Sequence, residues 1–215
     1  MNKTVKVLAW GFGICLLLVV SLVISFKIGT KGSEKEMAKI KAQAESYVKE
    51  RFTRPMKVYD SMYDNMGNFS YFDYAAKVYS VNENNLSFLV FYNQDTKQLE
   101  DNYVASKWGR DLEKDLFPFV EKEWGKVDHL WVIYDERVGY DYEIDVNKMP
   151  AYNTVAAKPL IIIAIPRKKE AKDNERYDKT IAFLKNQLKL QHAGVSFEYI
   201  KDGVILEKEG ISREF

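Results

Sequence analysis

The chain has 215 residues, 32 of them Lys or Arg against 31 Asp or Glu, with 47% hydrophobic and 14% aromatic content. That balance can bury a core and excludes a disordered chain, while eleven Gly and five Pro exclude collagen-like and linker proteins. A single Cys excludes a disulfide scaffold, an iron–sulfur cluster and any Cys-rich zinc module, and a net charge of +1 gives no reason to expect a nucleic-acid partner.

Val7–Phe26, between Lys6 and Lys27, is a run of twenty residues without a charge. At ~1.5 Å per residue a helix of that length reaches about 30 Å, the thickness of a bilayer's hydrocarbon core. It lacks the polar stripe of a soluble helix, and Trp10 near one end suits the headgroup level. The run is longer than the apolar part of a signal peptide. Val23-Ile24-Ser25, followed by Phe26 and Lys27, is a poor cleavage site, and Ile14 before Cys15 does not fit a lipoprotein. A retained single-pass anchor is expected: residues 1–6 as a cytoplasmic tail, 7–26 crossing the membrane, 27–36 as a stalk, and the remainder extracytoplasmic. Lysines flank the segment on both sides, so the positive-inside rule alone favours the reverse orientation. Long domains translocate largely regardless of charge, and the layout is that of a signal anchor. Gly11 and Cys15, small residues four apart, offer a place for another helix to approach. Residues 1–27 hold three basic residues and no acid, so the rest carries 29 basic against 31 acidic and offers no bulk charge for an anionic polymer or lipid.

Ser33 and Glu36 stand in capping-box spacing, and Met37, Ile40, Ala44, Tyr47, Val48 and Phe52 recur at helical intervals, predicting a helix that ends near Phe52 ahead of Pro55. Strands are predicted at Met56–Met62, Phe69–Val81 and Leu86–Tyr92, the last two as a hairpin about residues 82–85. Val104, Trp108, Leu112 and Leu116 share a helical face, with Pro118 expected to divide that helix before Gly125. Strands follow at Asp128–Tyr134, Tyr140–Val146 and, as a continuous apolar run suited to a central strand, Leu160–Ile165. Tyr177, Ile181, Leu184 and Leu188 mark an amphipathic helix, and Val195–Ile200 with Val204–Glu207 form a hairpin about Asp202-Gly203. The fold class is therefore α+β: an anchor helix, then a mixed helix and antiparallel-sheet region in two similar-sized units, 37–125 and 126–215. A local echo, in which a strand leads to Asp101-Asn102-Tyr103 or to Asp173-Asn174 and Tyr177, suggests that division.

Chemistry is sparse. No H-E-x-x-H, Walker A, G-x-S-x-G or G-x-G-x-x-G is present, and no cofactor is expected. His129 falls inside a strand and His192 just past a helix, both structural positions. Asp141, Glu143 and Asp145 would line one face of a strand and are candidate Ca²⁺ ligands or hydrolase carboxylates. Val146 and Tyr152 stand where an EF-hand needs Gly and Glu, and the simpler reading is a solvated strand face. Twelve of the fourteen tyrosines fall between Tyr47 and Tyr152. Tyr71 and Tyr79 fall on one strand face and Tyr74 on the other, so at least one aromatic face is expected to meet solvent or a partner, against the simpler reading that tyrosine's strand preference alone places them in the core. The expectation is a membrane-anchored, non-enzymatic binding or accessory protein of a bacterial cell envelope, engaging a protein or peptide through strand edges and Tyr71, Tyr74 and Tyr79. The alternatives are an anchored hydrolase or Ca²⁺-binding domain using the three carboxylates, and a structural subunit of a membrane complex.

Overall fold

The computed structural model describes residues 17–22, 31–83 and 86–215. The expected membrane segment lies outside the described residues except for 17–22, which are helical and expose Leu17, Leu18, Val19, Val20 and Leu22. Among the described residues no helix is long and apolar enough to cross a membrane. The remainder is mixed α+β. Helix α1 (Glu34–Arg51) leads into strands β1 (Met56–Tyr63), β2 (Tyr74–Ser80), β3 (Ser87–Tyr92) and β4 (Leu99–Asp101). Helix α2 (Tyr103–Trp124) then connects to β5 (His129–Ile133), the single turn α3 (Val138–Asp141), β6 (Leu160–Ile165) and α4 (Asp173–Asn186). Strands β7 (Gly194–Lys201), β8 (Val204–Ile205) and β9 (Ile211–Glu214) close the chain.

Helix α1 begins where its cap is, with the Ser33 hydroxyl accepting from Glu36 N–H at 3.4 Å. Its buried stripe of Ile40, Ala44 and Val48, with Phe52 after it, packs on the inner face of sheet 1, formed by Ala76, Val78, Phe88 and Val90. Sheet 1 is an antiparallel meander, β1-β2-β3-β4, with a bulge in β1 at Tyr59. Only Tyr74–Ser80 of the predicted Phe69–Val81 strand pairs. The preceding loop turns back across the outer face, where Phe69 stacks on Phe72 at 4.7 Å and Phe72 on Phe91 at 4.3 Å. Asp64 pins this loop by accepting from Phe69 N–H at 2.8 Å and Met66 N–H at 3.3 Å.

Sheet 2 runs β5-β6-β7, with β8 and β9 both on the far side of β7. Strands β5 and β6 are antiparallel, but β6 and β7 are parallel and joined by α4, so this sheet is mixed where the sequence predicts antiparallel pairing throughout. A parallel pair needs a crossover, and the amphipathic α4 supplies it. Asp202 and Gly203 take φ of 53° and 78°, the paired positive values of a tight hairpin turn. The inner residues Ile161, Ile163, Val195 and Phe197 are fully buried.

Helix α2 belongs to both sheets. Trp108, Leu112, Leu116, Val120 and Trp124 join one continuous core that takes in sheet 1 and sheet 2, with Trp124 stacked on Phe197 at 4.0 Å. The core therefore runs across the division predicted near Gly125. Pro118 does not break the helix. Pro118 and Lys114 are both exposed, so the Lys114 carbonyl left without an N–H partner faces water. Beside the helix, Glu113 accepts from Val132 N–H at 3.0 Å, and a Cβ on Gly109 would lie 2.7 Å from the Val132 carbonyl oxygen. The outer edge of β5 is thus sealed by α2.

Candidate functional site: a tyrosine-lined groove

The Tyr140–Val146 strand does not form. Asp135 accepts from Arg137 N–H at 2.8 Å and starts the helical turn α3, and Glu143 then takes φ of 51°. Gly139 sits so close to Val104 that a Cβ would approach its Cγ2 to 2.8 Å, a tertiary contact that alternation in the sequence does not encode. Asp141, Glu143 and Asp145 consequently share no face. All three are exposed: Asp141 lies 3.9 Å from Arg137 and Asp145 accepts from Asn147 N–H at 2.9 Å. Among the described residues no group of three His, Cys, Asp or Glu is placed to hold a metal ion.

The three tyrosines separate. Tyr71 lies in the covering loop beneath Arg137, whose guanidinium is 5.6 Å from its ring. Tyr79 is on the outer face of β2 against Tyr59, ring centroids 5.7 Å apart. Tyr74 turns to the inner side. All three are half-buried.

Around Tyr74 the register builds a site. Tyr63 pairs with Tyr74 and stacks on it at 4.9 Å. Ala75 pairs with Phe91, which carries Tyr92 to the other side of Tyr74. A row of three tyrosines therefore crosses the end of sheet 1, beneath the first turns of α1. Glu36, Lys39, Ile40 and Gln43 lie along one side of that helix, as the 3.6-residue period requires. Together with Asp73, Tyr74, Tyr92 and Gln94 they line a groove of about 310 Å³. Tyr74 also accepts from Ser33 N–H at 2.9 Å, tying the groove wall to the start of α1. Gln94 donates to Asp73 at 3.0 Å, and Lys39 pairs with Glu36 at 3.3 Å. The Tyr92 hydroxyl and the Gln43 amide have no partner among the described residues, and Tyr92 is 43% exposed. The groove offers aromatic area, free neutral donors and acceptors and little net charge. Tyr63, Tyr92, Gln43 and Gln94 were not singled out in the sequence, because only strand register and the seat of α1 bring them together.

Two denser polar clusters are closed on themselves. Behind α1, the Asp101 carboxylate is buried and accepts from the Tyr47 hydroxyl at 2.6 Å, Arg51 Nε at 2.7 Å and Tyr103 N–H at 2.9 Å, while the Tyr140 hydroxyl donates to Tyr47 at 2.6 Å and accepts from Asp101 N–H at 2.9 Å. Burial, reinforced by that carboxylate, pushes the Tyr47 and Tyr140 phenols well above their ordinary range, so neither titrates near neutral pH. This cluster clamps α1 to β4 and α3. Asp173, fully buried at the start of α4, is held by Arg167 at 2.7 and 2.9 Å, Arg176 at 2.7 Å and Glu170 N–H at 2.8 Å. Its burial works to raise the carboxyl, but these donors outweigh it and hold the group well below the usual carboxylate range.

The chain is thus a two-sheet α+β scaffold with a tyrosine-lined groove between α1 and the end of sheet 1. Comparison with known proteins adds the following. No family model matches the chain, and no curated protein matches it. Among solved structures it is similar to the crystal structure of a DUF5037 family protein from Ruminococcus gnavus ATCC 29149, at 14% identity over 75% of each chain with a TM-score of 0.34.

Proposed function

We propose that this chain is a membrane-tethered, extracytoplasmic binding or accessory module of a bacterial cell envelope, and that the groove between α1 and the tyrosine row of sheet 1 receives a segment of a protein or peptide partner. The uncharged run Val7–Phe26 supports the tether, with residues 1–6 inside and the folded region that begins at the α1 cap, Ser33, outside. The observation that carries the binding reading is the contrast in polar satisfaction. Around Asp101 and Asp173 the carboxylates are consumed by internal donors, whereas the groove leaves Tyr92 and Gln43 without partners among the described residues, beside half-buried aromatic rings. Exposed tyrosine beside unpaired amides is the chemistry of a polar recognition surface. A groove of this size takes one or two side chains of a bound segment. The hydrolase reading has lost the shared carboxylate face on which it stood.

A photo-crosslinking residue at position 92 in native membranes is expected to join a defined partner, while one at Val204, exposed on β8, captures none. Tyr74→Ala should abolish the adduct. Adducts equal at both positions, or unaffected by Tyr74→Ala, would remove the groove from recognition. External protease that leaves the folded region intact in sealed cells while cutting the N-terminal tail would refute the topology.

A further inference from the structure

We propose that the segment received by the groove is proline-rich and binds as a polyproline II helix; this rests on the groove reading above and names the chemistry of its partner. Tyr63 stacks on one side of Tyr74, and the register places Tyr92 on the other. Tyr74 therefore keeps a free ring face toward Tyr92, in a groove of about 310 Å³ with room for one or two proline rings. Free donors there exceed free acceptors. The Tyr74 hydroxyl accepts from Ser33 N–H at 2.9 Å, which leaves its own proton to give. The Tyr92 hydroxyl and the Gln43 amide have no partner among the described residues. The carboxylates beside them are engaged, Glu36 by Lys39 at 3.3 Å and Asp73 by Gln94 at 3.0 Å.

Other modes of peptide recognition lack what they need here. Strand addition needs a free edge, but β2 and β3 lie inside sheet 1, Tyr92 pairs with Leu99 on β4, and Gln94 N–H goes to the Tyr71 carbonyl at 2.9 Å. An amphipathic helix needs a row of apolar pockets, yet among the lining residues only Ile40 is aliphatic, and it is buried. An acidic or phosphorylated segment needs free cations, and Glu36 with Asp73 outnumber Lys39. A polyproline II segment asks for aromatic faces and donors. Its backbone makes no internal hydrogen bonds, so its carbonyls stand unpaired, and proline brings no N–H for the groove to satisfy. Its pre-set shape also lowers the ordering cost of binding. A glycan would use the same rings, but its hydroxyls give as well as accept and call for open acceptors, which Lys39 and Gln94 have engaged. A contact this small is weak, with a Kd of about 10 µM to 1 mM.

The test titrates the full chain, in detergent if it requires it, into three fluorescein-labelled probes read by anisotropy: an oligoproline, a Gly-Ser peptide of equal length and an N-acetylglucosamine oligomer. Binding of oligoproline alone, weakened at least tenfold by Tyr92→Ala, supports the proposal. Tyr92→Phe keeps the ring but not the donor and should weaken binding by about two- to tenfold, while Val204→Ala, on exposed β8, leaves it unchanged. Near-UV circular dichroism confirms that the variants are folded. No oligoproline binding up to about 1 mM, equal binding of the Gly-Ser peptide, indifference to Tyr92→Ala, or binding of the sugar oligomer in its place would overturn it. The crosslink from position 92 in native membranes judges the groove separately. A Tyr74-dependent adduct whose captured segment is rich in proline supports both readings. A captured segment without proline overturns this one alone, and the absence of any adduct removes both.

Discussion

The two sheets meet the same problem differently. Each has an inner face in the core that α2 joins, sheet 1 beneath α1 and sheet 2 against α4, and each carries apolar residues on its outer face. Sheet 1 covers Ala75 and Phe91 with its own loop, using Phe69 and Phe72 as a lid and Asp64 as the pin. Sheet 2 leaves Trp131, Ile133 and Leu160 in solvent. The difference lies in the chain itself: sheet 1 spends the ten-residue connection 64–73 on covering its outer face, and no described segment does the same for sheet 2. Their buried carboxylates differ too. Asp101 is reached from far along the chain by Tyr47, Arg51 and Tyr140, whereas Asp173 is held by its own neighbours Arg167 and Arg176.

The largest expected effect breaks the distinction between the sheets. Trp108 is fully buried in the core that they share and donates to the Pro150 carbonyl at 2.9 Å. Trp108→Ala should cost about 4 kcal/mol, with fluorescence and circular dichroism in urea still tracing one transition; two separate transitions would mean that the sheets are independent. Phe91→Ala, under the lid of sheet 1, should cost about 3 kcal/mol by the same measurement. Asp173→Asn sharpens the contrast of carboxylates and should lower stability at pH 7 by about 2–3 kcal/mol. The folded-state pKa of Asp173 is depressed, so its contribution is complete above the unfolded value of about 4 and is lost as pH falls through the acid range below it. Wild type should therefore lose stability below about pH 4 more steeply than the variant, as read by urea midpoints.

Gly109→Ala tests the seal between α2 and β5. Helix propensity alone favours Ala by roughly 1 kcal/mol, but the new methyl would sit 2.7 Å from the Val132 carbonyl oxygen. A net loss of about 2 kcal/mol is expected in urea melts, and a gain would show that the strand edge can give way. The smallest effect belongs to the open face. Ile133→Ser should change the stability of the chain by no more than about 0.5 kcal/mol, against the cost of Phe91→Ala on its covered counterpart.

What could be read from the sequence was local. The cap at Ser33, the apolar run of β6 and the Asp202-Gly203 turn all formed where expected, because short-range chemistry fixes each of them. The failures needed distant partners. Alternation at Tyr140–Val146 imitates a strand, yet the close approach of Gly139 to Val104 and the Asp135 turn make it a helical turn. Strands β4 and β9 are too short and too charged to announce themselves, and each forms by pairing with a stronger neighbour. Of the groove, Tyr74 was legible as a tyrosine on the strand face opposite Tyr79, though not as the inner one. Tyr92, Gln43 and Gln94 were not, since a residue beside it in space lies one strand or one helix away in sequence.

The clamp on α1 also dictates an order of events at the ribosome. Tyr47 bonds to Tyr140 across 93 residues, so at a synthesis rate of about 5–20 residues per second the helix waits about 5–20 s for its fastener. Throughout that interval Ile40, Ala44 and Val48 can meet sheet 1, but the helix above them is not yet fastened by Tyr140. A nascent chain arrested before Tyr140 should be a strong client for holding chaperones, and one released just beyond the C-terminal strands should not.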